Sequence, residues 1–136
     1  MISRRAAEAS HTPFLNVQDG FLTTHTVETV RLLEAEFMKD FVGKPEDKLH
    51  NLMDPDNPLM SGVVQNQDSY MKGKIAQRHY YVHMKPAIRE AMQIFSEATG
   101  RPYDLTESYR MEDAELALVG MGCMMETAKP TIEYMR

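Results

Sequence analysis

Three side chains near the start of the chain suit a binding site: the carboxylate of Asp19, the aromatic ring of Phe21 and the imidazole of His25. They follow the apolar run Pro13–Val17, which has the length and composition of a β-strand. Functional groups in α/β sheets lie at the carboxyl ends of the strands. Strand-end position therefore makes these three residues the candidates for a cofactor-side or interdomain surface.

A second turn, Gly120-Met121-Gly122, lies between the apolar run Ala114–Val119 and a helical segment. Two glycines at this spacing are typical of loops that bring the backbone close to the pyrophosphate of a dinucleotide. The third position of that motif is Met125 rather than glycine. The pattern favours a tight strand–helix turn that opens a Rossmann-like domain, and nucleotide binding stays an alternative.

Two further features have weaker chemical signals. Cys123, the only cysteine, precedes a predicted helix, a position where a thiol pKa can fall, but no base stands beside it. We interpret it as a packed or lightly exposed thiol. His79 and His83 have the four-residue spacing of a metal-binding pair, yet no third ligand is evident, so surface or interface histidines are favoured and no metal site is predicted.

The charge balance restricts the class of partner. A formal net charge of −5 and a pI of about 5.5 argue against a nucleic-acid or anionic-membrane partner, since phosphate binding depends on an excess of Lys and Arg. No apolar run approaches the ~20 residues that span a bilayer. The first residues lack the apolar segment of a signal peptide, so a cytoplasmic location is expected.

The elements that must position these residues are mostly helical. We predict a fold of the α/β class, an incomplete three-layer fragment with few strands and no internal repeat. In chain order the patterns predict a helix tail over Met1–His11, a strand over Pro13–Val17, a helix through about Leu33, a short helix within Glu34–Val42, an irregular strap over Lys44–Val64, a helix from about Asn66 to Met84, a helix over Pro86–Thr99, a linker over Arg101–Asp113, a strand over Ala114–Val119 and a helix over Glu126–Arg136.

Four motifs occur in the order in which one family carries them. They are Asp19-Gly20-Phe21 with Thr23-Thr24-His25, Asp54-Pro55-Asp56-Asn57-Pro58 with Val64-Gln65-Asn66-Gln67-Asp68-Ser69-Tyr70, Thr99-Gly100-Arg101-Pro102-Tyr103, and Asp113-Ala114-Glu115 with Val119-Gly120-Met121-Gly122 and Glu126-Thr127. From about residue 7 to its end the chain resembles the pyruvate:ferredoxin (flavodoxin) oxidoreductases. Four spaced motifs in one order are far more specific than any one of them.

The resemblance implies that residues 1–106 are the last part of a pyrimidine-binding domain and residues 107–136 the first strand and helix of the next open α/β domain. In the complete enzyme, thiamine diphosphate with Mg²⁺ serves the decarboxylation of a 2-oxoacid such as pyruvate. Iron–sulfur clusters pass electrons to ferredoxin or flavodoxin, and CoA receives the acyl group, on other domains or subunits. The family's catalytic glutamate and oxoacid-binding residues lie upstream, so no catalytic residue is assigned here.

One position departs from the family pattern: Leu22 stands where the family often has arginine, which leaves the choice of 2-oxoacid open. We expect a fragment or a piece of a split subunit, inactive alone and partnered by the remaining domains or subunits. Two alternatives stay open. One is a truncated Rossmann-like nucleotide binder, and the other is a noncatalytic helical interaction module that binds through its Met-rich faces.

Overall fold

The computed structural model describes residues 1–50, 53–60, 62 and 64–136, apart from the side chain of Leu22. The described residues form the helices α1 Ile2–Ser10, α2 Leu22–His25, α3 Ala35–Val42, α4 Gln67–Thr99 and α5 Met124–Met135, with a 3-10 turn at Pro45–Asp47. The chain divides into two compact units. The first contains Met1–Leu15 and Leu32–Asp104, and the second contains Asn16–Arg31 and Leu105–Arg136.

The core of the first unit lies where α1 and α3 pack against α4. Ala6 of α1 and Ala91 of α4 are completely buried. Such small side chains allow two helix backbones to approach closely. On α3, Phe41 is only 3% exposed, and its ring centroid lies 5.7 Å from that of Phe95 on α4. Four residues from three helices thus form the centre of this unit.

One arginine connects all three of these helices. The guanidinium of Arg5 on α1 donates to the carbonyl of Phe41 over 2.6 Å and lies 5.3 Å from the centroid of its ring. The same group forms an ion pair with Glu90 on α4, with 3.2 Å between nitrogen and oxygen. The predicted helix tail is therefore confirmed as α1, held by small residues and an arginine rather than by an apolar stripe.

A carboxylate is buried beside this core. Glu8 is 4% exposed and forms ion pairs with Arg4 one turn earlier and with Lys48, whose Nζ lies 3.8 Å from Oε2. Lys48 also donates to the carbonyl of Val42, at the end of α3. Buried charges are stable only when they are paired, so these contacts fix the strap that follows α3 against α1.

The local start and stop signals predict most helix ends correctly. The short helix within Glu34–Val42 is confirmed as α3, which ends at Gly43 with a φ of 74°. Asn66 occupies the N-cap of α4, although its side chain makes no capping hydrogen bond, and Gly100 ends this helix at a φ of 68°. Both glycines adopt the positive φ that favours this residue at helix ends. The helix predicted over Glu126–Arg136 is confirmed as α5.

The irregular strap predicted over Lys44–Val64 agrees with its described part, where the 3-10 turn at Pro45–Asp47 is the regular element. Asn51, Leu52, Ser61 and Val63 lie outside the described residues. Within the strap, Asp54 accepts hydrogen bonds from the backbone N–H of Asp56 over 3.0 Å and from the side chain of Asn57 over 3.2 Å. These bonds form the turn that the proline-rich sequence predicts.

The prediction of two helices separated before Pro86 is wrong, because α4 runs from Gln67 to Thr99 with Pro86 inside it. Proline removes one hydrogen bond of the helix ladder, here the bond to the carbonyl of Val82. The loss is tolerated because the following turns pack against α1 and α3. Within the predicted buried face of this region, Ala91 is buried and Phe95 is half-buried, whereas Ala98 is exposed.

The two predicted strands are absent, although the structure describes all of Pro13–Val17 and Ala114–Val119. A strand needs a neighbour for its backbone hydrogen bonds, and the described residues form no β-ladder. Leu15 and Leu116 are 90% and 93% exposed. The predicted α/β class is thus confirmed only in its helical part.

The helix predicted through Leu33 is also wrong, since α2 ends at His25 and Thr26 is extended, with φ −92° and ψ 136°. Val27 is 98% exposed and Val30 is 69% exposed. Residues 26–30 are mostly β-branched. Because no face of this segment is packed, their low helix propensity prevents the helix from continuing. None of the described helices is long and apolar enough to cross a membrane.

Candidate functional site

In the second unit, Asp19 lies at the N-terminus of α5. Its carboxylate accepts a hydrogen bond from the backbone N–H of Cys123, the N-cap residue of that helix. The first N–H groups of a helix lack intrahelical partners, and the helix dipole favours an anion there. The hydrogen bond from the Cys123 backbone, with a further one from its thiol, holds the pKa of Asp19 below its ordinary value.

The close approach of Asp19 to the N-terminus of α5 depends on a glycine. Gly122 has a φ of +84°, and a Cβ built on it would lie 2.8 and 2.9 Å from the two carboxylate oxygens of Asp19. The second glycine of Gly120-Met121-Gly122 therefore makes room for a carboxylate of the same chain. The contact joins residues 104 positions apart and unites the first and last motifs within one unit.

The structure corrects the expectation that Cys123 is a packed or lightly exposed thiol. A position at a helix N-terminus can lower a thiol pKa. Here the hydrogen bond to the Asp19 carboxylate and the negative charge of that group raise the pKa of the Cys123 thiol instead. The side chain is exposed. The main cause of the raised thiol pKa is therefore the charged neighbour rather than burial.

Replacement of Asp19 by asparagine should make Cys123 more reactive. Removal of the negative charge lowers the thiol pKa, so more thiolate forms at neutral pH and alkylation by iodoacetamide becomes several-fold faster. The rate is measured by mass spectrometry of the intact chain. Asp113→Asn is the matched control, because Asp113 pairs with Arg136 in the same unit, and it should leave the rate unchanged. Equal rates in wild-type protein and Asp19→Asn would contradict the assigned electrostatic coupling.

Phe21 and His25 form a second contact at the one-turn helix α2. The ring centroids are 5.1 Å apart, and His25 Nδ1 lies 2.7 Å from the Phe21 carbonyl oxygen. A carbonyl only accepts, so this bond places the proton of the neutral imidazole on Nδ1 and leaves Nε2 as an acceptor. Phe21 adopts a φ of 55°, which is unusual for an aromatic residue. The exposed pair thus presents a ring face and a nitrogen lone pair.

The structure brings the candidate residues together only in part. Phe21 contacts His25, and Asp19 contacts Cys123, but within the described residues the Asp19 carboxylate makes no hydrogen bond to Phe21 or His25. In the first unit, the rings of His79 and His83 lie 5.2 Å apart on α4. The described residues contain no group of three ligating side chains that could hold a metal ion. The prediction that the histidine pair is not a metal site therefore stays a prediction.

Sequence reasoning missed the ion pairs that position α5. The guanidinium of Arg110 donates to both carboxylate oxygens of Glu133, over 2.6 and 2.8 Å, and the Tyr109 hydroxyl donates to the same carboxylate over 2.6 Å. Arg110 lies in the segment predicted as a linker. The only signal was the opposite charge of two residues 23 positions apart, which by itself does not predict a contact. Hydrogen bonds from Arg110 lower the pKa of Glu133 to about 2.

Glu133 should add a pH-dependent contribution to the stability of the second unit. Its folded pKa of about 2 lies below the ordinary value of 4.5, so the contribution is present above pH 4.5 and disappears as the pH falls towards 2. Because the pair is solvent-exposed, the effect on the melting temperature is small. Thermal melts of wild-type protein and Glu133→Gln should differ at neutral pH and converge in acid. Glu112→Gln removes the same charge without an ion pair and should show no such convergence.

Comparison with known proteins gives a consistent result. Residues 1–93 match the family model described as pyruvate flavodoxin/ferredoxin oxidoreductase, thiamine diphosphate-binding. The pyruvate synthase subunit PorA of Methanothermobacter thermautotrophicus is 36% identical over 124 residues, which cover 91% of this chain and 32% of that protein. The PorA subunit of Methanocaldococcus jannaschii is 35% identical over 126 residues, with 91% and 32% covered.

A longer relative shows the same similarity. The pyruvate-flavodoxin oxidoreductase of Trichormus variabilis is 32% identical over 137 residues, which cover 99% of this chain but 12% of that protein. The chain thus spans about a third or less of the length of these relatives. Since the family model alone covers more than half of the chain, this match is sufficient to assign the chain to a family.

Proposed function

This chain belongs to the pyruvate flavodoxin/ferredoxin oxidoreductase family, and we propose that it forms one part of a 2-oxoacid:acceptor oxidoreductase. The observation that carries the proposal is the family match over residues 1–93, together with relatives that align with about nine-tenths or more of the chain. The proposed substrate is pyruvate, since the names of these relatives specify it. The proposed location is the cytoplasm.

The proposed overall reaction cleaves the bond between the carboxylate and the carbonyl carbon of the 2-oxoacid. Carbon dioxide leaves, the acyl group passes to the thiol of CoA, and two electrons go through iron–sulfur clusters to ferredoxin or flavodoxin. Thiamine diphosphate, when bound, supplies the carbanion chemistry of the decarboxylation. We assign the clusters, CoA and the electron carrier to other domains or subunits of the enzyme, which are the proposed partners.

The described residues fit the cofactor only in part. Phe21 offers a ring face and His25 an Nε2 acceptor, which suit the contact with a heteroaromatic ring such as the pyrimidine of thiamine. The Asp19 carboxylate is engaged with the backbone of Cys123 and supports the turn instead. No group of three ligating side chains for Mg²⁺ occurs among the described residues, so no step through the diphosphate is derived. We propose Phe21 and His25 as cofactor-side residues and Asp19 as a positioning residue.

The proposed domain arrangement assigns residues 1–106 to a pyrimidine-binding domain and residues 107–136 to the next α/β domain. The support is the exposure of apolar residues in both predicted strands, with Val17 81% exposed and Val119 92% exposed. Such segments gain backbone partners when further strands of the enzyme pair with them. We propose that they become strands in the assembled protein, which restores the predicted α/β class.

The nucleotide-binding alternative is disfavoured by one observation. The Asp19 carboxylate lies at the N-terminus of α5, where a bound phosphate would have to accept the same N–H groups. Two anions in one position repel each other. The tight-turn interpretation of Gly120-Met121-Gly122 is therefore preferred to a phosphate site.

The proposed function is tested by affinity purification of the tagged chain from its native cells. The eluate is analysed for iron, for thiamine diphosphate and for co-purifying polypeptides. We expect a large assembly that contains both cofactors and oxidises pyruvate in the presence of CoA and an electron acceptor. Recovery of the chain alone, without iron or thiamine diphosphate, would overturn the proposal and leave family membership as a statement of ancestry.

A further inference from the structure

Three ion pairs connect the segment 107–113 to helix α5 within the second unit. They join Glu107 to Lys129, Arg110 to Glu133 and Asp113 to Arg136. In chain order the segment carries a negative, a positive and a negative side chain, and α5 carries the opposite series. We call these six residues the α5 clamp. Because the pairs advance in the same direction along both partners, the segment lies parallel to the second half of the helix.

The clamp residues of the helix share one side of it. Lys129, Glu133 and Arg136 lie at intervals of four and three residues, which places them on one side of α5. Ile132 lies on the same side and is half-buried, as is Tyr109 of the segment. The ring centroid of Tyr109 lies 5.8 Å from the Nζ of Lys129. Partly buried aliphatic and aromatic groups therefore accompany the ion pairs.

The α5 clamp is a network rather than a set of isolated ion pairs. The guanidinium of Arg110 holds Glu133 through two hydrogen bonds. Lys129 binds Glu107 over 2.8 Å and Glu126 over 2.9 Å. Hydrogen bonds to these two carboxylates raise the pKa of Lys129 to about 12, so this side chain stays positively charged at neutral pH. Isolated surface pairs contribute little, whereas bidentate pairs and networks can hold a segment in place until salt screens them.

The clamp fixes where the apolar run 114–119 begins and ends. Asp113, directly before the run, pairs with Arg136 at the C-terminal end of α5, whereas Cys123, after the run, is the N-cap of the same helix. The run must therefore lead from one end of α5 to the other. From Cys123 to Arg136 the helix is about 20 Å long, and six extended residues also span about 20 Å. An antiparallel strand and helix of equal length are the arrangement that a crossover between parallel strands requires.

We propose that the α5 clamp is a conformational device that holds the run 114–119 alongside α5 before a neighbouring strand pairs with it. The role of the run as a strand rests on the proposed function, in which residues 107–136 begin an α/β domain, whereas the clamp depends only on contacts of this chain. Because both ends of the run are held, it loses less conformational entropy when it pairs with another strand. Because the clamp is solvent-exposed, a high salt concentration opens it and releases the run.

A distance measurement between two spin labels tests the clamp in the full 136-residue chain. Labels on Ser108→Cys and Thr131→Cys, in a Cys123→Ser background, mark the segment and α5 at exposed positions. Pulsed electron paramagnetic resonance should give one short, narrow distance at low salt and a broad distribution of longer distances at about 1 M salt. Arg110→Glu should give the broad distribution even at low salt, because two carboxylates then face each other at Glu133. Circular dichroism confirms that each variant is folded.

A second pair of labels follows the run itself. Ala117→Cys with Thr131→Cys, in the same background, reports the distance between the exposed middle of the run and α5. This distance should broaden over the same range of salt concentration as the first and should also broaden in Arg110→Glu. A run that keeps its distance from α5 after the clamp has opened would contradict the assigned device.

A charge swap separates the ion pair from other effects of the substitution. Arg110→Glu/Glu133→Arg should restore the narrow distances at low salt, because opposite charges meet again. Arg101→Glu is the matched control, since it makes the same change in the first unit and should leave both distances unchanged. Broad distances in wild-type protein at low salt, distances that do not respond to salt, or a swap that stays open would overturn the proposal. A closed clamp in a chain that recovers no enzyme assembly would contradict only the proposed function.

Discussion

Replacement of Phe41 by alanine is expected to lower the free energy of unfolding of the first unit by about 3 kcal/mol or more. The ring is 3% exposed and lies between Phe37 of its own helix and Phe95 of α4, with centroid distances of 5.7 Å to each. It also carries the guanidinium of Arg5 above it. The substitution removes buried area and leaves a cavity where three helices meet. Chemical denaturation followed by circular dichroism measures the loss.

Phe21→Ala is the matched control for this prediction. The Phe21 side chain is 76% exposed, so its truncation removes little buried area and should change the stability by less than about 1 kcal/mol. A cost at Phe21 as large as that at Phe41 would contradict the assigned core. No loss at Phe41 would show that α3 does not pack on α4 in solution.

Ala91→Asp is the second large expected effect, about 3 kcal/mol or more, because it places an unpaired carboxylate between α1 and α4. Ala91 is completely buried, so a charged side chain at this position would be removed from water. The guanidinium of Arg5 on α1 already pairs with Glu90 and the Phe41 carbonyl. We therefore expect α1 to separate from α4, which thermal unfolding and proteolysis of the N-terminal residues would both detect.

Ala98→Asp provides the same chemical change at an exposed position of the same helix. Its expected cost is below about 1 kcal/mol, from lower helix propensity and an unfavourable interaction with the negative end of the helix dipole. Equal destabilisation by both variants would mean that helix propensity, rather than burial, decides the result. The ratio of the two costs is therefore the informative measurement.

The sequence predicted those helices whose signals are local. Gly43 and Gly100 mark the ends of α3 and α4 correctly, because a helix end with positive φ favours glycine wherever it occurs in the chain. The prediction that one helix ends before Pro86 and another begins there was wrong, because it considered only local geometry. A proline disfavours helix through local geometry, whereas the turns around it are held by packing that the sequence pattern does not reveal.

In the candidate site, too, local contacts follow from the sequence whereas contacts between distant residues do not. The sequence named Phe21 and His25 by their position after a predicted strand, and the structure shows that the two residues, four positions apart, contact each other. It did not predict that Asp19 reaches Cys123, since hydrogen bonds between distant residues leave no periodic signal. It also assigned the segment around Arg110 to a linker, although Arg110 binds the carboxylate of Glu133.

The sequence alone determined the family, the ends of α3 and α4 and the position of α5, because these depend on motifs and on neighbours within a few residues. Tertiary structure decided the burial of Glu8 and Ala6 in α1, since a helix without an apolar stripe becomes buried only when another helix covers it. It also decided that the two apolar runs remain unpaired. Strand formation depends on hydrogen bonds to a neighbouring strand, and no property of the run itself provides that partner.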